Sequence, residues 1–329
     1  YWGLLGDYVR RLCWLFSDGE EVCEVGILAD PNNLPWTAAK ALLQAQIGFI
    51  YVDEEHLRAG VTPFRVIVSD PPGTFPATDI PVIADWTQET LARQVADLIG
   101  RNIAWDGSSE LRARHYRKAG RELFLLVNEG EEGFEGTLSL QCTGAAERWE
   151  PLTGATRPWP ARVEPGRLLL PLRLERRESI VLVIDPAGEP DRQAAFPSLS
   201  GAVVREITGP WQAEDLAGQP VSVPCPGDWA QAPGWELFTG AIVFRTTFTL
   251  IAAEARAYFL DLGQVGDIAE VILNGEAVGV RAWAPYLLEI DNLCAGENTL
   301  EVRVTNSMAN AYDGLQLPSG LLGPVVLRE

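Results

Sequence analysis

Residues 261–306 read DLGQVGDIAEVILNGEAVGVRAWAPYLLEIDNLCAGENTLEVRVTN. Short apolar runs alternate with turn residues throughout. Asn274-Gly275 lies between Val271-Ile272-Leu273 and Ala277-Val278-Gly279-Val280. Asn-Gly is the pair a two-residue type I′ hairpin asks for, because both central residues take positive φ. Further on, Val302 and Val304 alternate with Arg303 and Thr305, one face inward and one outward. The stretch predicts an all-β unit with tight turns.

Working outward, the same character runs from about Gly201 to Glu329. Turn signals recur at Pro224 to Gly227, Pro233-Gly234 and Ala295-Gly296-Glu297-Asn298, a spacing that fits an eight-stranded jelly roll over 201–329. Upstream, Asp185 to Ser200 is rich in Pro, Ala, Gly and Ser and reads as a linker. Before it, residues 107–190 supply strand candidates at Arg112 to Arg117, Leu123 to Asn128, Gly136 to Cys142, Leu168 to Leu174 and Ser179 to Ile184, the pattern of a small antiparallel β-sandwich. Residues 1–106 differ. Helical spacing at Tyr8, Leu12, Leu15 and Phe16, at Trp36 to Ile47, and at Leu91, Val95 and Leu98 alternates with apolar runs at Val22 to Leu28, Phe49 to Val52, Val66 to Val68 and Val82 to Ala84. That alternation predicts an α/β domain with a parallel sheet and helices on both faces. The fold class is therefore multidomain, α/β plus all-β.

Composition removes several functions. With 26 Lys and Arg against 45 Asp and Glu, the formal charge is −19, a field that repels nucleic acid. No apolar run approaches the ~20 residues that cross a bilayer, so no membrane partner is expected. The chain opens on Tyr1-Trp2-Gly3 rather than Met, and reads as a processed product or a piece of something longer. Its five cysteines, Cys13, Cys23, Cys142, Cys225 and Cys294, are far apart and odd in number. No C-x-x-C pair is present, which excludes a zinc knuckle or thioredoxin motif. They read as free thiols of a reducing compartment, which favours the cytoplasm, with a Cys225–Cys294 pair left open.

Few residues invite chemistry. His56 and His115 are the only histidines, and neither has a metal-type neighbour, so both are read as structural. No G-x-G-x-x-G, Walker or G-x-S-x-G pattern occurs. Ser69 ends a predicted strand, but Asp70-Pro71-Pro72 stiffens the following loop and removes two N–H groups that an oxyanion hole would use. Glycoside hydrolysis needs two carboxyl groups held ~5–9 Å apart. The pairs Glu54-Glu55 and Glu131-Glu132 sit in solvated, turn-like sequence, and nothing singles out an acid and a nucleophile. No catalytic residue and no metal ligand is assigned. Aromatics remain as a sugar-directed signal, since indole and phenol rings stack on sugar C–H faces. Trp229, Trp235, Trp283 and Tyr286, with Asp228, Asn306 and Asn310, are the carbohydrate-binding candidates. Trp also packs cores. Trp283 and Tyr286 lead because Ala284-Pro285 puts them in a predicted loop.

Several motifs together resemble the galactose-binding-like module at the C-terminus of family 106 glycoside hydrolases, the α-L-rhamnosidase-like enzymes, and of relatives near family 2. They are Gly209-Pro210-Trp211, Asp261-Leu262-Gly263, Leu273-Asn274-Gly275, Trp283-Ala284-Pro285-Tyr286, Gly296 to Leu300, Val304-Thr305-Asn306 and Gly320 to Pro324. Residues 107–190, through His115-Tyr116-Arg117 and Leu126 to Glu129, resemble the β-sandwich that precedes that module. Tyr1-Trp2 with Tyr8 to Leu12 resembles the segment leaving the catalytic barrel and entering a flavodoxin-like, class I amidotransferase-like domain. The amidotransferase nucleophile, a Cys after the third strand, is absent, with Ser69-Asp70-Pro71 in its region. The resemblance implies that the acid and base lie in an N-terminal (β/α)₈ barrel not contained in this chain. It also implies a non-catalytic C-terminal accessory portion of a glycoside hydrolase, partnered by that barrel and by carbohydrate. No cofactor is implied; such modules often hold structural calcium, yet no dense Asp/Asn loop asks for it. Two other readings stay open: a stand-alone carbohydrate-binding or assembly protein, and a small hydrolase using the first domain.

Overall fold

The computed structural model describes residues 1–329 except 31, 33, 61–62, 70–77, 109, 191–201, 252–257 and 329. Asp70-Pro71-Pro72 and most of the expected linker thus lie outside the described residues. The chain is mostly β, with several antiparallel sheets and few helices. It divides into two compact units, Tyr1–Phe196 and Pro197–Glu329.

The first unit contains one parallel sheet, in the order Ile50–Val52, Val25–Leu28, Val66–Ser69, Val82–Ile83. Its strands are apolar on both sides, as a sheet covered on both faces requires. Val25, Ile27, Val66 and Val68 pack with Ala38, Ala41 and Leu42 of helix Trp36–Gln44 and with Leu91 and Val95 of helix Leu91–Ile99. On the other side, Ile67 packs with Val52, Phe64 and Leu57. Leu57 belongs to helix Glu54–Ala59, which the sequence reading passed over. It is only six residues long, but Asp53 caps its start and Gly60 closes it with φ 69°. On this face Gly26 leaves room for its neighbours: a Cβ there would sit 2.7 Å from Ile67 Cδ1 and 3.0 Å from Phe64.

Among the described residues, the other two sheets of the unit are antiparallel. One has six strands, in the order Glu20–Glu21, Leu111–Lys118, Arg121–Asn128, Ser179–Asp185, Ala145–Trp149, Thr156–Trp159; the other has four, Arg162–Glu164, Arg167–Leu174, Phe134–Leu140, Ile103–Ala104. Strand Arg167–Leu174 buries Leu168, Leu170, Leu172 and Leu174 in strict alternation, the period-2 pattern of a sheet facing a core. Trp159 Nε1 donates to the Pro171 carbonyl at 3.0 Å, joining the two sheets.

The first helix differs from its sequence grouping. Trp2–Phe16 does not cover the parallel sheet. Leu15 packs with Leu123, Val181 and Val183 on the outward face of the six-stranded sheet, with Leu12, Phe16, Tyr116 and Trp149 around them. That strand face carries apolar residues where solvent-facing strands carry polar ones, so it needs a cover. Lys118 ties down the helix end, donating to the carbonyls of Trp14 and Ser17 and lying 4.7 Å over the Trp14 ring.

The second unit is all β apart from two short helical turns among the described residues. A five-stranded sheet runs in the order Gln212–Glu214, Ala241–Leu250, Gly296–Thr305, Ile268–Leu273, Glu276–Arg281, and a four-stranded sheet in the order Val203–Glu206, Val326–Arg328, Tyr258–Asp261, Leu287–Ile290. Ile242, Phe244, Val271, Val302 and Val304 of the first meet Leu260, Leu288, Ile290 and Leu327 of the second in one core. The Asn274-Gly275 hairpin forms as its sequence predicts, with φ 53° and 82° at the two turn residues and Leu273 paired with Glu276.

Candidate functional site

Register decides which loops meet. Ala241 and Ile268 both pair with Thr305, Ala269 pairs with Arg281, and Asp261 pairs with Leu287. The segments before 241 and those at 262–267, 282–286 and 306–320 therefore leave the second unit at one end. All seven residues singled out by sequence lie in these segments.

Four of them prove to be internal supports. Trp229 is completely buried, stacked on Phe244 at 6.2 Å and edge-on to Phe238 at 5.9 Å. It has no face to offer a sugar. Asp228 Oδ1 accepts from Ala230 N at 2.9 Å and from Ser319 N at 2.8 Å. Asn306 Nδ2 donates to the Phe238 carbonyl at 2.8 Å and to Ser319 Oγ at 3.2 Å, while its Oδ1 accepts from Gly240 N at 3.0 Å. Asn310 spans the loop that follows it, donating to the Leu317 carbonyl and accepting from Leu317 N, both at 2.8 Å. The three polar side chains, Asn310 through Nδ2 at 3.4 Å, converge on Ser319, 2% exposed, which the sequence did not single out. Buried amides and a half-buried carboxylate that bond to loop backbone in this way fix loop shape.

Of the remaining three, Tyr286 is another internal support and only the two tryptophans reach solvent. Tyr286 is buried, and its hydroxyl donates to the Asp267 carbonyl; burial, then the Asp267 charge, pushes its phenol up to about 12. Asp267, also missed by sequence, holds φ 120° and accepts from Ser307 N through Oδ2, so one residue ties three loops. Trp283 is half-buried. Trp235 is half-buried as well, meeting Phe238 edge-on at 4.8 Å. It forms the outer end of an aromatic column, Trp235, Phe238, Trp229, Phe244, running from the loops into the core. Around this end Leu237, Met308, Tyr312, Leu315 and Leu317 are exposed.

The first unit offers less. Ser69 is 2% exposed at the end of its strand, and its carbonyl accepts from Trp86 Nε1 at 2.8 Å. Asp53 caps the following helix through the N–H and the ring Nδ1 of His56, at 2.8 and 2.7 Å; these bonds hold its carboxyl below the usual range and raise the imidazole. His115 lies buried against Phe124, with Nε2 2.5 Å from Glu122. Of the acidic pairs, Glu54 faces Arg58 and Glu131 faces Arg176 and Arg177, all solvated ion pairs. Among the described residues, no three His, Cys, Asp or Glu side chains gather as a metal site would require, and no helix is long and apolar enough to cross a membrane. All five thiols are free, Cys225 and Cys294 included.

No family model matches the chain. It is 41% identical over 85 residues to a putative β-glucuronidase of Formosa agariphila, covering 25% of this chain and 7% of that protein. Among solved structures, the rhamnosidase from Novosphingobium sp. PP1Y matches with a TM-score of 0.74 at 23% identity, over 98% of this chain and 40% of that one. A GH2 β-galacturonidase from Eisenbergiella tayi aligns over 36% of this chain and 22% of its own, with a TM-score of 0.29 at 23% identity. The chain thus covers less than half the length of each of these three proteins. The rhamnosidase match bears out, at the level of fold, the resemblance that the sequence motifs carry.

Proposed function

We propose that this chain is a non-catalytic accessory portion of a rhamnosidase-like glycoside hydrolase, and that the loop end of its second unit binds carbohydrate. The observation that carries the reading is the correspondence of 98% of this chain with 40% of a rhamnosidase chain. The identity of 41% with a putative β-glucuronidase over 85 residues points to the same broad class. On this reading residues 1–106 contribute a flavodoxin- or amidotransferase-like domain, 107–190 a β-sandwich and 201–329 a galactose-binding-like jelly roll. The catalytic barrel implied by the resemblance is the partner they brace. The disposition of the acidic side chains agrees with a supporting role. Asp228 and Asp267 hold backbone N–H groups, and Glu54 and Glu131 pair with arginines. Trp283 and Trp235 are the residues that would stack on a sugar ring.

Two measurements on the purified chain test this. Calorimetric titration with rhamnosides and galactosides should give saturable heat that Trp283→Ala removes. Aryl glycosides should show no hydrolysis above buffer. Flat titrations would leave only the bracing role. Hydrolysis that survives purification and vanishes in Ser69→Ala would replace the reading with a hydrolase built on the first domain.

A further inference from the structure

The loop end of the second unit has an unusual charge content. Residues 228–240, 262–268, 282–287 and 305–320 hold no lysine and no arginine, but they hold Asp228, Glu236, Asp267 and Asp313. Glu236 and Asp313 are exposed. The backbone N–H groups of Glu236 and Gly234 hold the Glu236 carboxyl below its usual range, so it is charged at neutral pH. The arginines that border these loops each meet a protein acceptor. Arg281 donates to the carbonyls of Leu287 and Val280, and Arg303 lies 3.2 Å from Glu270. The N–H groups of Ala230, Ser307 and Ser319 are already bonded to Asp228 and Asp267 and so are not open to an anion.

We propose that this end selects neutral saccharides and rejects uronic acids. The proposal rests on the carbohydrate reading above. A ligand carboxylate that gives up its hydration needs a cation or a group of N–H donors in exchange. Here it would meet fixed carboxylates of its own sign. A neutral sugar meets no such penalty. Its hydroxyls donate, and ionised carboxylates such as Glu236 and Asp313 are acceptors only, while Trp235, Trp283 and Tyr312 supply aromatic rings for its C–H faces.

The test uses the whole chain and pairs of disaccharides differing only at C6, galactose against galacturonic acid and glucose against glucuronic acid. Binding is followed by calorimetry and Trp fluorescence. The neutral member should bind at least about 10-fold more tightly at about 20 mM salt, where exposed charges are weakly screened, and the ratio should shrink at about 300 mM. The double variant Glu236→Gln, Asp313→Asn should narrow it at low salt. A uronate that binds as tightly as its neutral twin overturns the selectivity and leaves the carbohydrate reading standing. Failure of every saccharide to bind overturns the carbohydrate reading itself, and the selectivity with it.

Discussion

Asn274 donates through Nδ2 to Oδ1 of Asn298 at 2.9 Å, joining the hairpin turn to the start of strand Gly296–Thr305. Asn298 is completely buried. Its Oδ1 also accepts from Cys294 N, and its Nδ2 donates to the Cys294 and Gly296 carbonyls. Asn274 Oδ1 accepts from Thr299 N, and its Nδ2 also reaches the Asn292 carbonyl. Two amides thereby hold the loop 292–296 against the turn. Truncation leaves several of these buried groups unpaired, each at about 1–3 kcal/mol. Asn298→Ala should therefore lower the unfolding free energy of the second unit by about 2–4 kcal/mol. In a double-mutant cycle with Asn274→Gly, which keeps the positive φ, the two should couple by more than about 0.5 kcal/mol. Urea denaturation reads both numbers. Additive effects would show that the amides act separately.

Trp229 and Trp283 belong to the same loop end but should separate under mutation. Trp229 fills the core, so Trp229→Ala should cost about 3–5 kcal/mol of stability. Trp283 lies in a loop and is half-buried, so Trp283→Ala should cost clearly less while removing saccharide binding. Thermal unfolding with parallel titration distinguishes the two. Equal stability losses would place Trp283 among the supports.

What was legible in the sequence follows from how local each cause is. The Asn274-Gly275 turn could be read because positive φ is a property of two residues. The strand Arg167–Leu174 could be read from its alternation. Strand Thr156–Trp159 was not, because Pro158 and its exposed neighbours hide the pattern; it lies at a sheet edge, where proline is tolerated. The helix Trp2–Phe16 was visible as a helix, but its partner was not. Leu123 and Val181 look like core residues of any sheet, and only the three-dimensional arrangement puts them on the face that the helix covers. Ser319 and Asp267 were invisible for the same reason. A serine after proline and an aspartate after glycine carry no signal until distant chain segments arrive beside them. The aromatic residues were found by type, and type did not tell Trp229, a core residue, from Trp283.

His115 makes stability depend on pH. Burial against Phe124 lowers its pKa, more than its contact with Glu122 raises it. The unfolded chain then takes up a proton near pH 6.5 that the folded chain accepts only at lower pH. Below that point the unfolded state binds more protons, so stability falls as pH drops from 6.5 toward the folded-state pKa. Unfolding midpoints measured from pH 7.5 to 5 should fall more steeply in the wild type than in His115→Gln. Parallel slopes would mean that other groups carry the dependence.

The thiols should divide by burial. Burial pushes Cys23 up to about 11, Cys142 to about 12 and Cys225 to about 11. The thiolate is the attacking form, so these three hold almost none of it at pH 8. Cys13 and Cys294 are exposed. An aromatic disulfide reagent at pH 8 should therefore titrate two of the five thiols promptly and the other three only on unfolding. Cys13→Ser and Cys294→Ser should each remove one equivalent of the fast phase. Cys294 is also close to the amide pair, 3.9 Å from Asn274 Nδ2. Asn298→Ala loosens the loop that carries it, so in that variant Cys294 should react faster while Cys13 keeps its wild-type rate. A rate change shared by both thiols would mean that the substitution disturbs the chain well beyond that loop.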